Sequence, residues 1–331
     1  MYKLSDVRQI HLEITQKCQA ACSMCDRNIN GGDLNPHLTL AELKIKDIKK
    51  IFSPKFISQL KAMQLCGNHG DPIVAEDLLD TFKYFRKHNP NMWLSMNTNA
   101  GARDEEWWTS LAETIGRNGT VIFSVDGLED TNHLYRQNVQ WKLVKRAMDS
   151  FIKAGGRARW DFLVFDFNEH QVEEARNLSI EWGFEKFIVK KSSRFITGHV
   201  TKKKDEHQAI NRKGQKTTLL KEPKSDKNKN KVYSAMDALV EKYGSMEVSE
   251  IQCRVKETGS IYVSAEGLVL PCCWTAGRMY KWWHKDPKVE QVWQFIDGVG
   301  GKESLNAINV GLNSVFDTGI FEKIEESWNI K

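Results

Sequence analysis

No stretch of about 18 consecutive apolar residues occurs in the 331-residue sequence, so it contains no candidate transmembrane helix. The first ten residues, MYKLSDVRQI, lack the basic-then-apolar build of a secretory signal. Both absences lead to the expectation of a cytoplasmic protein with no membrane partner. Internal repeats are absent as well. Cysteine is scarce and odd in number: seven residues, three between Cys18 and Cys25, three between Cys253 and Cys273, and Cys66 apart. An odd, clustered set is no disulfide framework, which needs an oxidising compartment and usually an even count. Thiols kept reduced point towards metal. With 40% hydrophobic residues the chain has enough apolar surface for a sizeable core, organised as one large domain or one large plus one small. The net charge of +5 is modest but unevenly placed. Between Lys190 and Lys231 there are 14 Lys/Arg against 4 Asp/Glu, a surplus of ten, so the rest of the chain carries a net −5.

Apolar runs and helical periodicity alternate along the first 190 residues. RQIHLEIT (8–15) reads as a buried strand, and TLAELKIKDIKKIF (39–52) as a helix with Thr39 and Glu42 spaced as a capping box. Further strands are expected at 61–66, 92–98, 120–126, 159–165 and 185–190, with helices over about 74–88, 104–117, 139–154 and 169–182 between them. Six strands separated by five helices argue for right-handed crossovers and a parallel sheet, open or curved into a barrel. The lysine-rich stretch that follows is polar and nearly free of aromatics, and most of it reads as a mobile loop or insertion. GSIYVSAEGLVLPCCW (259–274) reads as a hairpin turning at Glu266-Gly267.

CQAACSMC (18–25) places three thiols on a loop after the first strand, where they can converge on one metal centre. A structural zinc would take a fourth ligand, for which His11 or Cys66 is available. An iron–sulfur cluster held by only three cysteines would keep one iron open. Three cysteines as small buried hydrophobes would be a poor account of such tight clustering.

The spacing C-x3-C-x2-C after a first strand resembles the signature of the radical SAM superfamily. The resemblance extends to CGNHGDP (66–72), where Gly70, Asp71 and Pro72 are similar to the family's Gly-Gly-Glu-Pro segment with Asp for Glu. It continues in MNTNAG (96–101) with Thr98 and Asn99, in FSVDG (123–127) with Ser124 and Asp126, and in HLYR (133–136) with Arg136 as a carboxylate partner. Met24 stands before the third cysteine, a position often aromatic in the family. The resemblance covers roughly residues 7–190. It implies a partial (β/α)6 TIM-like barrel in residues 1–190. It also implies a [4Fe-4S] cluster on Cys18, Cys22 and Cys25 whose open iron is chelated by S-adenosylmethionine (SAM), and SAM contacts from the residues just named. All of them sit at the C-terminal ends of strands, where such sheets gather their sites.

The late cysteines resemble the start of the SPASM and shorter twitch auxiliary-cluster domains: Cys253, then Gly267 after thirteen residues, then Cys272 four residues on, with Cys273 adjacent. No cysteine follows, so a shortened α+β unit over 245–331 with room for one auxiliary iron–sulfur cluster is implied, joined to the core by a basic linker or insertion over 191–244. A hairpin bearing zinc or no metal is the alternative. Adjacent side chains in a strand point to opposite faces, so Cys272 and Cys273 can share a cluster only where the strand has ended, and Pro271 marks that end.

Other residues have plainer readings beside the sharp ones. Cys66 suits core packing. His69 is a possible proton donor, but in a polar turn it suits a solvated or locally hydrogen-bonded role. The tryptophans of EWW (106–108) and YKWWHK (280–285) offer stacking surfaces, and helix packing explains the first pair equally well. The basic stretch suits a solvated loop better than a nucleic-acid site. The resemblance implies reductive SAM cleavage to a 5′-deoxyadenosyl radical that abstracts hydrogen from a substrate. That substrate is expected to be a peptide or protein, with a nucleotide, sugar or RNA base as the alternative, and the electron donor a flavodoxin or ferredoxin. A non-catalytic metal-binding nucleic-acid scaffold is the reading from another class. The SAM-pocket residues Gly70, Asp71, Asn99 and Ser124 argue against it.

Overall fold

Six apolar runs, each too short to be a helix and each followed by an amphipathic segment, form six parallel strands at the expected places. The computed structural model describes residues 3–195, 206–231, 241–242 and 251–329. The strands are β1 (Gln9–Leu12), β2 (Ala62–Leu65), β3 (Trp93–Thr98), β4 (Gly119–Ser124), β5 (Ala158–Val164) and β6 (Lys186–Lys191). Between them run helices Ile45–Ile51, Leu78–His88, Glu105–Ile115, Trp141–Lys153 and Val172–Glu181, with short turns of helix at Pro54–Ser58 and Asn132–Tyr135. Trp141–Lys153 shows why these segments are helical and where they pack. Its Val144, Ala147, Met148 and Phe151 recur at helical spacing and are all buried. Phe151 meets Phe123 of β4 at 5.8 Å between ring centroids, and Trp108 of the preceding helix lies 5.7 Å from the same Phe123. The pair Trp107–Trp108 therefore serves packing, with Trp108 fully buried.

Two further hairpins complete the described strands: β7 (Glu206–Ile210) with β8 (Lys216–Lys221), and β9 (Ser260–Val263) with β10 (Val269–Leu270). The main sheet has eight strands in the order β10-β9-β1-β2-β3-β4-β5-β6, parallel except for β10, and it does not close into a barrel. This is the mixed α/β, partial TIM-like architecture expected. Residues 259–270 do not build a sheet of their own. β9 adds in parallel to β1, with Gln9 opposite Ser260 and Leu12 opposite Val263. The turn comes at Gly267, whose φ of +84° is a left-handed conformation that favours glycine.

Two expectations need correction. The helix expected over 39–52 begins only after Lys44, because the Thr39 hydroxyl donates to Gln16 at 3.1 Å and Glu266 at 3.0 Å instead of capping a helix. The cap comes from Asp47, which accepts from the Lys44 backbone N–H at 3.0 Å. The second correction concerns the basic stretch. Residues 196–205 and 232–240 lie outside the described residues, but 206–221 is an ordered hairpin and not a loose loop. Ala209 and Leu220 are fully buried, and the Ile210 N–H donates to the Asn30 carbonyl at 2.9 Å. Short strands whose outward positions carry lysine conceal their alternation behind charge. The amide of Ile210 is expected to exchange at least about 100-fold more slowly than an unstructured amide, a protection of a few kcal/mol. Exchange of residues 206–221 at the random-coil rate would show that this docking does not form.

Candidate active site

Parallel strands end on one side of the sheet, so the loops after β1, β2, β3, β4 and β6 meet there. They enclose a cavity of about 360 Å³. Its wall takes Cys18, Cys22 and Cys25 from the first loop, Gly70 and Asp71 from the second, Thr98 and Asn99 from β3, and Ser124 and Arg136 from β4 and its turn. These are the expected residues apart from Asp126 and Met24, which stand behind the wall. Asp126 is buried, and its Oδ2 accepts from Arg136 Nε at 2.6 Å while Oδ1 accepts from the Leu163 N–H at 2.7 Å. It positions the guanidinium. Arg136 Nη1 reaches to 3.9 Å from Cys22 Sγ. Met24 packs into the core and offers only its carbonyl, to Arg194.

Burial raises the thiol pKa values: Cys18 is pushed well above the ordinary value, with Asp71, Cys22 and Cys25 adding to the effect. Cys22 is pushed up to about 11 by burial, against the favourable charge of Arg136 and with the opposition of Cys25. Clustered thiols with raised pKa values, as at Cys18 and Cys22, become stable thiolates only around a compensating positive centre. The donor set therefore fits an iron–sulfur cluster. Among the described residues no three His, Cys, Asp or Glu side chains gather closely enough to hold a single ion. His11 bonds through Nε2 to the Cys66 carbonyl.

The second loop is held by contacts that leave no room for larger side chains. Asp71 is buried, accepting from the Asn99 N–H at 2.7 Å and the Ile73 N–H at 3.1 Å. Burial raises its pKa, and these hydrogen bonds work the other way. Asn99 in turn bonds Gln19 at 2.6 Å and lies 3.5 Å from Cys18 Sγ, which ties β3 to the cysteine loop. A Cβ on Gly70 would stand 1.8 Å from the Thr15 carbonyl oxygen. Gly70→Ala is expected to displace this strap at a cost of about 1–3 kcal/mol and to weaken SAM binding about tenfold or more, measured by equilibrium dialysis of the reconstituted protein. Unchanged affinity would mean the strap does not touch SAM.

In and behind the cavity wall stand further residues, among them Arg27, Arg194 and Glu13, which sequence reasoning missed. Arg27 and Arg194 join Arg136 in the wall. Arg194 is raised well above the ordinary range, chiefly by Tyr135 and, against burial, by Cys25 and Asp26. Glu13, just past β1, is buried and accepts from the His69 N–H at 2.7 Å, the Gly70 N–H at 3.1 Å and the Tyr262 hydroxyl. Of the two plain readings of His69, solvated or locally hydrogen-bonded, solvation does not hold: it is 3% exposed, lies 5.7 Å from Tyr280 edge-on, and its Nδ1 stands 3.9 Å from Glu13 with no hydrogen-bond partner. Arg194 and Glu13 had no signal in local sequence, because their partners are distant in the chain. Of the late cysteines, Cys272 and Cys273 follow the end of β10 at Leu270, with Pro271 between. Cys253 begins the helical turn Arg254–Glu257. Trp283, half exposed under Lys281 at 4.8 Å, is not in the cavity wall.

No family model matches the sequence. Among curated proteins, the FeMo cofactor biosynthesis protein NifB of Methanocaldococcus jannaschii is 24% identical over 139 residues, 41% of this chain and 44% of NifB. Among solved structures, SuiB of Streptococcus suis bound to SAM superposes with a TM-score of 0.54 at 15% identity, covering 81% of this chain and 60% of SuiB. SuiB bound to its precursor peptide SuiA matches with the same score and identity, over 82% and 60% of the two chains. The protein anSMEcpe with bound SAM gives a TM-score of 0.50 at 15% identity over 80% and 74%. The chain thus spans less than half the length of NifB and 60% of SuiB. Its fold is similar to that of SuiB, and Cys18, Cys22 and Cys25 stand on the loop after β1.

Proposed function

We propose that this protein is an enzyme that cleaves SAM reductively at a [4Fe-4S] cluster and abstracts hydrogen from a peptide or protein. The observation that carries the reading is the meeting of three thiols and an Asp126-oriented guanidinium in one cavity. When bound, cluster and SAM supply the 5′-deoxyadenosyl radical for hydrogen abstraction. The residues of the chain do the rest. Cys18, Cys22 and Cys25 hold the cluster and leave one iron open. Arg136 would meet the carboxylate of SAM, and the Gly70–Asp71 strap would present backbone groups to its amino group. Asn99 and Ser124 line the same cavity and would face the ribose and methionine portions. The enclosed wall excludes solvent from the reacting atoms.

The peptide assignment is supported by SuiB, whose fold this chain shares and which has been crystallised with a precursor peptide. A nucleotide, sugar or RNA base is the second reading, favoured by the exposed Arg212, Lys213 and Lys216 on the β7–β8 hairpin beside the cysteine loop. A flavodoxin or ferredoxin in the cytoplasm is the proposed source of the electron. Among the described residues no helix is long and apolar enough to cross a membrane. The test is to incubate the reduced, reconstituted protein with SAM and a panel of deuterated peptides and nucleotides. Deuterium in 5′-deoxyadenosine from a peptide is the expected result. Deuterium from a nucleotide alone would move the substrate to the second class, and SAM left intact under every condition would overturn the enzymatic reading.

A further inference from the structure

Asp26, Asp71, Asp126 and Glu13 stand in or beside the cavity, and each already has its donors. Asp126 pairs with Arg136, and Asp71 accepts from the Asn99 and Ile73 N–H groups. Glu13 accepts from the His69 and Gly70 N–H groups and from Tyr262, and Asp26, next to Cys25, pairs with Lys281 at 2.8 Å. The cations are not matched in the same way. Besides Arg136, the wall contains Arg27, Lys191 and Arg194. Arg27 is 5% exposed, and its guanidinium donates to the Gln16 carbonyl at 3.0 Å and to the Asn28 side chain at 3.4 Å, both neutral. Arg194, on the segment that follows β6, donates to the Met24 carbonyl and lies 3.5 Å from the Tyr135 hydroxyl. Lys191 and Arg194 are exposed. Among the described residues no ion pair forms on Arg27, Lys191 or Arg194. A buried guanidinium without a counter-charge is costly, so such a wall is completed by an anion. The cofactors do not supply it on balance. A [4Fe-4S] cluster with three thiolates carries one net negative charge, and SAM, with sulfonium and ammonium against one carboxylate, one net positive charge. The two cancel, and the loaded wall stays cationic.

We propose that Arg194, with the more deeply buried Arg27 of the same wall, takes an acidic side chain, Asp or Glu, of the substrate peptide. The inference rests on the peptide reading above and narrows it. A guanidinium is a planar fork that takes a carboxylate through two parallel bonds and keeps its charge at every working pH. Position separates the two arginine roles. Asp126 orients Arg136 beside the thiols, whereas Arg194 follows β6, the edge strand of the sheet, and is open to a chain arriving from outside. Its bond to the carbonyl of Met24, the residue before Cys25, fixes the guanidinium against the cysteine loop. An acidic residue held there would bring its neighbours in the peptide to the reacting atoms.

The probe is glutarate, a carboxylate of side-chain size, with its neutral diamide and inorganic phosphate as comparisons. Equilibrium dialysis of each against the reconstituted, SAM-loaded full chain reads binding directly, and circular dichroism controls for folding. Glutarate is expected to bind saturably and at least about tenfold more tightly than the diamide, the difference one charge-assisted bond makes. Arg194→Gln is expected to weaken glutarate about tenfold and to leave SAM affinity unchanged, while Arg136→Gln weakens SAM. Equal binding of glutarate and diamide, or full glutarate affinity in Arg194→Gln, overturns the proposal. So does loss of SAM affinity in Arg194→Gln to the level of Arg136→Gln, which would make Arg194 part of the SAM site. Phosphate bound about tenfold more tightly than glutarate overturns the carboxylate assignment and points to a nucleotide. Arg27→Gln should weaken glutarate as well, and full affinity there removes Arg27 from the site. Should that buried variant fail to fold, Arg194→Gln, at an exposed position, decides. Failure of the peptide reading shows separately, as no deuterium reaching 5′-deoxyadenosine from any peptide, whatever the affinity for glutarate.

Discussion

Replacing Cys18, Cys22 and Cys25 together with alanine is expected to lower 5′-deoxyadenosine formation under dithionite to the level of protein without iron. The loss should be at least about 100-fold, the upper end of what removing even a supporting partner of a metal ligand costs. The reason lies in the cavity. Arg136 reaches toward Cys22 there, and no iron is left open for SAM once these thiols are gone. The variant should remain folded, because Cys18 and Cys25 are only partly buried and the sheet does not depend on them. A folded triple variant that still forms 5′-deoxyadenosine at the wild-type rate would place the cluster elsewhere. Stoichiometric zinc without iron, in wild-type protein purified without air, would replace the cluster by a structural metal.

The second large effect is expected at Glu13. Its carboxylate is the point where three parts of the chain meet: the segment after β1, the loop after β2 through the His69 and Gly70 N–H groups, and β9 through Tyr262. Glu13→Ala would leave those donors buried without partners, and breaking such a buried charged network costs about 3–5 kcal/mol. Glu13→Gln keeps acceptor oxygen in place and should cost about 1 kcal/mol. Urea unfolding of both variants reads the difference, and equal small losses would show that the network does not bear on stability. The carboxyl also sets a pH dependence. Burial alone would raise its pKa, but the His69 ring, the Tyr262 hydroxyl and the His69 N–H outweigh burial and hold it below the ordinary 4.5. A depressed folded-state pKa means that its contribution is fully present above that ordinary value and is lost as pH falls through the lower one. The wild-type protein should therefore lose stability in acid more steeply than Glu13→Gln, which has no such proton to bind.

The alternation of strand and helix was legible because each strand is a short apolar run and each helix carries its apolar residues at period 3.6, as Val144, Ala147, Met148 and Phe151 do. The cysteine loop was legible because its ligands are local. What local patterns could not disclose is contact across the chain. Glu13 and Tyr262 are 249 positions apart, Arg194 reaches Met24 from 170 positions away, and Asn68 finds Cys273 at 205. Thr39 misled for the converse reason: a residue spaced as a cap bonds instead to Gln16 and Glu266. The basic hairpin was hidden by lysines at its outward positions, while two inward residues, Ala209 and Leu220, were enough to seat it.

The placement of β9 beside β1 has a consequence for how the chain is made. On the ribosome, β1 emerges before its partners, and β2 can cover one of its flanks once Leu65 is out. Its other flank stays bare until Ser260 has been added, because only β9 pairs there. For most of translation the nascent protein therefore carries an uncapped strand edge, QIHL, next to the loop that bears Cys18, Cys22 and Cys25. Exposed edges recruit other chains, and pairings this distant in sequence form late. The last quarter of the polypeptide thus acts as the lock on the first strand, and truncation before residue 260 should yield aggregates in place of a smaller working core.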